Sequence, residues 1–436
     1  MLWWLAACLS SSTEAPLAQG VKIDKITWNQ GSERVLRNTT DAWAGGEVPP
    51  PYIADRDALV RVYLGPDDEA TATAPERVEV HIAVGEQAPH IVEIDPTAPW
   101  RDADLDTTAS VRLAADDLDP GAILHVSVRD PQGEPGSDEA VVRRRVQWAS
   151  DPLDLVPTDV LRITIVPYTY EGRTPDVPDA LQAEIGDHMF AWFPASAVEV
   201  TVADPVPWTE PLPADDGAAW DAVLADVSAR RGDAEVPPNT YFYALVKPAD
   251  TFEAYCAGHD WCFEGRAMLP EDGSEPWQRV GMGIAFGDIA ATLGHEIGHA
   301  HGRRHAPCGR PGGPDPAYPY VNAQLGAIGY HLVTGELIPE QGHRDVMSYC
   351  PPYWVSDHTF TALRRRIAQV ARQARSTVPH VDWQAILVAA DGSMRQGPVV
   401  RAPTLPGGTY TALEGGAEGW FTPYADGGGG LLLVRD

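Results

Sequence analysis

The sequence predicts a multidomain protein: an N-terminal all-β sandwich over 21–156, a central α/β domain with a mixed sheet over 157–378, and a small β-rich module over 379–436. Three observations carry this expectation. With 436 residues the chain exceeds what a single core ordinarily accommodates. Its 40 Gly and 40 Pro favour loop-rich, β-containing architecture over a helical bundle, while 44% hydrophobic content excludes wholesale disorder. After Pro157 the patterning changes from short alternating runs to strands that alternate with helical periodicity.

The first 20 residues read as a lipoprotein-type signal and tether. Leu5-Ala6-Ala7-Cys8 resembles a bacterial lipobox, in which Cys8 is lipidated and becomes the mature N-terminus. Ser10-Ser11-Ser12-Thr13-Glu14 would then form a polar tether. The match departs from the pattern in lacking a positively charged start and in the few residues that precede the cysteine. No stretch is long enough to span a bilayer. Removing Cys8 from the five cysteines leaves Cys256, Cys262, Cys308 and Cys350. Two disulfides, Cys256 with Cys262 and Cys308 with Cys350, fit an exported protein; four reduced thiols or a second metal site are the alternatives.

Over 21–156, the runs Val60-Arg61-Val62-Tyr63-Leu64, Val78-Glu79-Val80-His81-Ile82 and Ile123-Leu124-His125-Val126-Ser127-Val128 alternate with period two between Pro, Gly and Asp clusters. That spacing predicts an immunoglobulin-like sandwich acting as scaffold or docking module. Its scattered histidines, His81, His90 and His125, form no catalytic constellation. In the central domain, strands are expected at 161–166, 198–202 and 241–246. Leu181, Ile185, Met189 and Phe193 recur at four-residue spacing and predict a helix between Pro178 and Pro194. Trp220, Val223, Leu224 and Val227 predict another, ending at Gly232. A last helix begins near Asp357 through Phe360, Leu363, Ile367 and Val370, with Arg364, Arg365 and Arg366 expected on a solvated face. No glycine pattern for a phosphate or dinucleotide loop accompanies these strands.

The segment with chemical content runs from Asp288 to His305. Asp288 is a good N-cap, and Ile289, Leu293, Ile297 and Ala300 share one face that should be buried. His295 and His299, four apart, project together from another face, where two imidazoles can share one cation. Glu296 beside them is badly placed as a ligand but can reach a metal-bound water. Gly302 permits a sharp turn that returns His305 to the same point. Three neutral imidazoles plus water make an open tetrahedral site for one catalytic zinc ion. His301 lies roughly 160° around the helix from His299 and is excluded as a ligand.

This His-Glu-x-x-His-x-x-Gly-x-x-His pattern resembles the metzincin metallopeptidases, the clan that includes astacins, serralysins and reprolysins. The clan also has a methionine turn beneath the metal, which Asp345-Val346-Met347-Ser348-Tyr349 resembles. The resemblance implies that Met347 floors the three histidines. It also implies that Tyr349 ligates zinc or steadies the tetrahedral intermediate. Gly283-Ile284-Ala285-Phe286, before the helix, corresponds to the clan's substrate-binding edge strand. An extended peptide would pair with that edge through its main chain. The chain departs from known subgroups at Ala306 and in the insertion 307–319, so no subfamily is assigned.

The implied activity is that of an exported zinc-dependent metalloendopeptidase, a bacterial cell-envelope lipoprotein or secreted enzyme, with Glu296 as general base and Tyr349 as auxiliary donor. Its partner would be a protein or peptide substrate. Two other classes are an amidase acting on cell-wall or glycoconjugate substrates and an inactive surface-binding protein; the intact Glu296 weighs against the latter. With 32 basic and 62 acidic residues the net charge is −30. That balance argues against nucleic acid, and leaves a lipid on Cys8 as the route to a membrane. Ala385 to Ala389 and Leu431 to Val434 predict the strands of the C-terminal module.

Overall fold

The computed structural model describes residues 15–39, 49–134, 140–270, 275–373, 379–413 and 417–435. The lipobox cysteine Cys8 lies outside the described residues. The chain divides into two compact units. The first comprises the described residues before 29, with 35–39 and those of 59–154. The second comprises 29–34, 49–58 and the described residues from 155 onward. The protein is thus multidomain and mostly built of β-sheets, and among the described residues no helix is long and apolar enough to cross a membrane.

The first unit contains, apart from residues 29, 33, 34 and 58 at the strand ends, β1 (Val21–Asn29), β2 (Glu33–Asn38), β3 (Ala58–Pro66), β4 (Val78–Val84), β5 (His90–Ile94), β6 (Ala109–Leu113), β7 (Leu124–Arg129) and β8 (Gln147–Ala149). They form two four-stranded sheets, ordered β2-β1-β3-β6 and β5-β4-β7-β8. Strand β4 shows why these residues pair: Val78, Val80, Ile82 and Val84 are buried, while the residues between them are half-buried. Against β7 the register sets Val80 opposite Val128 and Ile82 opposite Val126, so apolar side chains meet on one face. The histidines are strand residues: His81 pairs with Glu79 at 2.9 Å, and His90 and His125 are exposed.

The second unit is organised on a mixed sheet. Its elements are β9 (Leu161–Tyr170), α1 (Asp179–Trp192), β10 (Val198–Val202), α2 (Gly217–Asp233), β11 (Thr240–Val246), β12 (Gly265–Ala267), β13 (Val280–Ile284), α3 (Ile289–Ala300) and α4 (Asp357–Gln373). The strand order is β10-β9-β11-β13-β12, with Val206–Trp208 also beside β9. Strands β9, β10, β11 and β13 are mutually parallel, and β12 runs antiparallel to β13. Alternation along each strand feeds two cores. Ile163, Ile165, Tyr241, Tyr243 and Leu245 pack with Ile185 and Met189 of α1, Leu293 and Ile297 of α3, and Leu363 and Ile367 of α4. Ala244, Val246, Met282 and Ile284 pack on the opposite face with Trp220, Val223 and Leu224 of α2.

Two expectations are corrected here. The run Gly283-Ile284-Ala285-Phe286 is not an edge: its strand, β13, lies between β11 and β12, and the chain leaves the strand after Ile284. Gly283 stands opposite Leu245 on one side and Gly265 on the other, while the Ile284 amide donates to the Glu264 carbonyl at 3.0 Å. The true edge, β12, has the sequence Gly-Arg-Ala, too short and too polar to read as a strand. The arginine run on α4 is also mixed: Arg365 is exposed, but Arg366 is buried and donates to the Pro270 carbonyl at 2.9 Å.

The C-terminal strands are β14 (His380–Ala389), β15 (Met394–Pro403), β16 (Thr409–Ala412), β17 (Glu418–Pro423) and β18 (Gly429–Arg435), in one antiparallel sheet ordered β15-β14-β18-β17-β16. Trp383, Ala385, Val400, Ala402, Leu431 and Leu433 share the core of α2, so this sheet closes the second hydrophobic cluster.

Arg56 shows how the second unit is tied together. It is 1% exposed and donates to the carbonyls of Gln30 (2.8 Å), Phe190 (2.5 Å), Phe193 (3.2 Å) and Ala195 (3.0 Å). The last three lie at the C-terminal end of α1, where unpaired carbonyls and the helix dipole favour a cation. Burial lowers its pKa to about 9, which still leaves it charged at neutral pH. Arg56→Ala strands these acceptors in the interior and should cost about 3 kcal/mol or more. A urea midpoint displaced by less than about 1 kcal/mol equivalent at constant slope would contradict this.

Candidate metal centre

Helix α3 starts where the sequence places it. The Asp288 carboxylate accepts the Ala291 N–H at 2.9 Å, and Leu293, Ile297 and Ala300 are fully buried. His295 and His299 leave the helix together one turn apart. Gly302 follows with φ of +80°, a left-handed conformation that a side chain disfavours, and a Cβ there would also lie 2.9 Å from the Pro270 carbonyl oxygen. The reversal brings His305 back.

The three imidazoles converge through the same atom. His299 Nε2 lies 3.0 Å from His295 Nε2 and 3.1 Å from His305 Nε2. Each ring directs its other nitrogen at a backbone carbonyl, which can only accept. Nδ1–H of His295 donates to Val346 (2.7 Å), that of His299 to Arg303 (2.6 Å) and that of His305 to Gly312 (2.5 Å). This fixes the tautomer and points three Nε2 lone pairs at one place, as in metal-ligating histidines. Burial, and then the neighbouring rings, lowers the pKa of His295 to about 3 and that of His299 well below the ordinary value. His305 is lowered by burial. All three are therefore neutral at neutral pH, the form that binds metal. Among the described residues this is a group of side chains that could hold a metal ion.

His301 stands apart. It stacks on Tyr241 with ring centroids 4.3 Å apart, and its Nδ1–H donates to the Ile297 carbonyl. The three histidines expected to converge do so, and His301 is a core residue.

Room for Glu296 comes from two glycines. A Cβ on Gly265 of β12 would lie 2.7 Å from Glu296 Oε1, and one on Gly281 of β13 would lie 3.1 Å from Glu296 Cβ. The carboxyl is 7% exposed, and burial, followed by the charge of Asp426, raises its pKa well above the usual range.

The floor of the site comes from a distant segment. Buried Asp345 accepts the amides of Met347 (2.8 Å) and Ser356 (2.9 Å), holding the turn whose Val346 carbonyl orients His295. A Cβ on Gly298 would collide with the Met347 sulfur, so Met347 lies directly on α3. The Tyr349 hydroxyl is 3.0 Å from His305 Nε2, and its amide donates to the Cys308 carbonyl. The disulfide Cys308–Cys350 joins this turn to the segment after His305, and Cys256–Cys262 is also formed. Sequence reasoning gave no role to Asp345, Gly265, Gly281 or the carbonyl of Gly312. Only Asp345, two residues before Met347, had a position that could have drawn notice.

No family model and no curated protein matches the chain. Among solved structures, one titled "Structure of a chaperone-substrate complex" aligns at a TM-score of 0.28 and 11% identity. The alignment takes in 61% of this chain and spans only 40% of that one, a likeness too small to carry an argument.

Metal-free protein should therefore bind one equivalent of Co²⁺ or a similar divalent ion. His299→Ala should weaken binding by more than the 10–100-fold typical of losing an outer partner. Competition with a chromophoric chelator measures both; unchanged affinity in the variant would refute the assignment.

Proposed function

We propose that this chain is an exported zinc-dependent metalloendopeptidase of metzincin type, its catalytic domain formed around residues 157–378. The observation that carries the reading is the convergence of three Nε2 atoms, each ring braced on a carbonyl, beside a buried carboxyl in the next residue of the same helix. Three neutral imidazoles joined by no further His, Cys, Asp or Glu among the described residues suit zinc in an open, catalytic geometry. The placement of Met347 on α3 and of Tyr349 at His305 agrees with the roles that the resemblance assigns them.

Zinc bound there would supply Lewis acidity toward a water and an amide carbonyl. Glu296 accepts the proton of the attacking water and returns it to the leaving amine. Its raised pKa suits a group that holds a proton for part of the cycle. The Tyr349 hydroxyl donates to the oxyanion as it develops. An extended substrate would reach the sheet through the Gly265 end of β12, since the 423–425 turn pairs with the chain from Ala267 onward, and Gly265 brings that strand's backbone against Glu296.

The two disulfides are compatible with export, with Cys8 as a lipid anchor. The first unit is read as an immunoglobulin-like sandwich that docks or presents the enzyme. The shortness of β12, three residues, favours as second reading an amidase that grips a compact cell-wall or glycoconjugate substrate.

Casein digestion by zinc-loaded protein tests the reading. Glu296→Ala should lose about 10²–10⁴ in rate while retaining the metal. Equal cleavage by wild type and variant would refute the role of Glu296. Tyr349→Phe should lower kcat by about tenfold or more with little change in KM; an unchanged kcat would remove the tyrosine from the mechanism.

A further inference from the structure

The turn between β17 and β18 reaches the metal centre. Tyr424 bridges Met268 in antiparallel fashion, the Leu269 amide donates to the Pro423 carbonyl at 3.0 Å, and the Ala425 amide donates to the Ala267 carbonyl at 3.3 Å. The turn thereby extends the central sheet at the outer edge of β12. Asp426 is then anchored by its side chain: its carboxylate accepts Arg266 Nη2 at 2.6 Å and the Gly428 amide at 2.9 Å. Arg266, 9% exposed, is itself gripped by buried Asp221 and by the Gly217 carbonyl. The guanidinium is held by charge on two sides and lies 5.3 Å from the ring centroids of Phe263 and Tyr424.

The backbone of the same residue abuts the loop that follows His305. A Cβ on Gly312 would collide with the Asp426 carbonyl oxygen, and one on Gly313 would lie 3.4 Å from that of Ala425. Gly312 supplies the carbonyl that receives His305 Nδ1–H. Gly312 and Gly313 have no side chains with which to anchor themselves, so the wall at Asp426 limits where that carbonyl can stand.

We propose that the C-terminal sheet is a positioning element for the third metal ligand: Asp426, fixed by Arg266, holds Gly312, and Gly312 orients His305. Asp426 and Gly312 are positioning residues and do not touch the metal. The inference rests on the metal-binding reading of the triad and is independent of peptidase activity.

Metal affinity tests it directly, with Co²⁺ as probe in the full chain. Gly312→Ala forces the loop off the Asp426 carbonyl and should weaken Co²⁺ binding by about 10–100-fold, the usual effect of disturbing a partner of a ligand. Asp426→Asn, which keeps the shape and loses the ion pair, should weaken it several-fold and alter the visible Co²⁺ spectrum. Asp391→Asn, in an exposed turn of the same sheet, should do neither. Far-UV circular dichroism of the metal-free variants checks folding; if Gly312→Ala fails to fold, Asp426→Asn decides. Wild-type affinity and spectrum in a folded Asp426→Asn and Gly312→Ala would overturn the proposal while leaving the triad intact. A wild type that binds no metal overturns the proposal and the triad reading together.

Discussion

Three imidazole nitrogens, those of His295 and His305 held 3.0 and 3.1 Å from that of His299 with their lone pairs inward, repel one another unless positive charge lies between them. The surrounding structure accepts that repulsion and fixes it. His299 and His305 are buried and His295 is half-buried, which disfavours relief by protonation, and each is tied through Nδ1 to a carbonyl on a different segment: Val346, Arg303 and Gly312. A single divalent cation relieves all three at once. The helix alone aligns His295 and His299; everything else near the site acts to bring in His305 and keep the set rigid.

That work falls on glycine and on long-range ties. Gly302 turns the chain back, Gly298 lets Met347 lie on the helix, and Gly265 and Gly281 open space for Glu296 between α3 and the sheet. The Asp345 carboxylate and the Cys308–Cys350 disulfide fasten a turn some 40 residues beyond His305 against the ligands. On the other side, the mixed sheet places the antiparallel β12 beside the Glu296 carboxyl, and the C-terminal sheet closes over its outer edge. The result is a site walled on one side by the C-terminal turn at Asp426 and bordered on the other by the backbone of Gly265.

What was legible in the sequence was what local periodicity encodes. The cap at Asp288, the buried stripe of α3, the exclusion of His301 and the return of His305 all follow from about 100° per residue and one glycine. Counting set Cys8 apart and left four cysteines, and the structure joins them in the two expected pairs. The strand at the sheet edge was misread because Val280–Ile284 carries the apolar signature of a strand, whereas Gly265–Ala267 is defined only by its neighbour. Arg56 gave no signal, since three of its four acceptors lie 134 to 139 residues away and the fourth, Gln30, lies 26 away. The C-terminal sheet was legible as strands, but that Trp383 and Leu431 pack on α2 is a tertiary fact with no local pattern.

The central claim is that His295, His299 and His305 form an open site for one metal ion. Anomalous diffraction at the zinc edge, from crystals of the zinc-loaded protein, tests it most directly. The account predicts one peak about 2.0–2.1 Å from all three Nε2 atoms, its remaining coordination completed by solvent on the Glu296 side. A peak elsewhere, or one closed by a fourth side chain other than Tyr349, would contradict it.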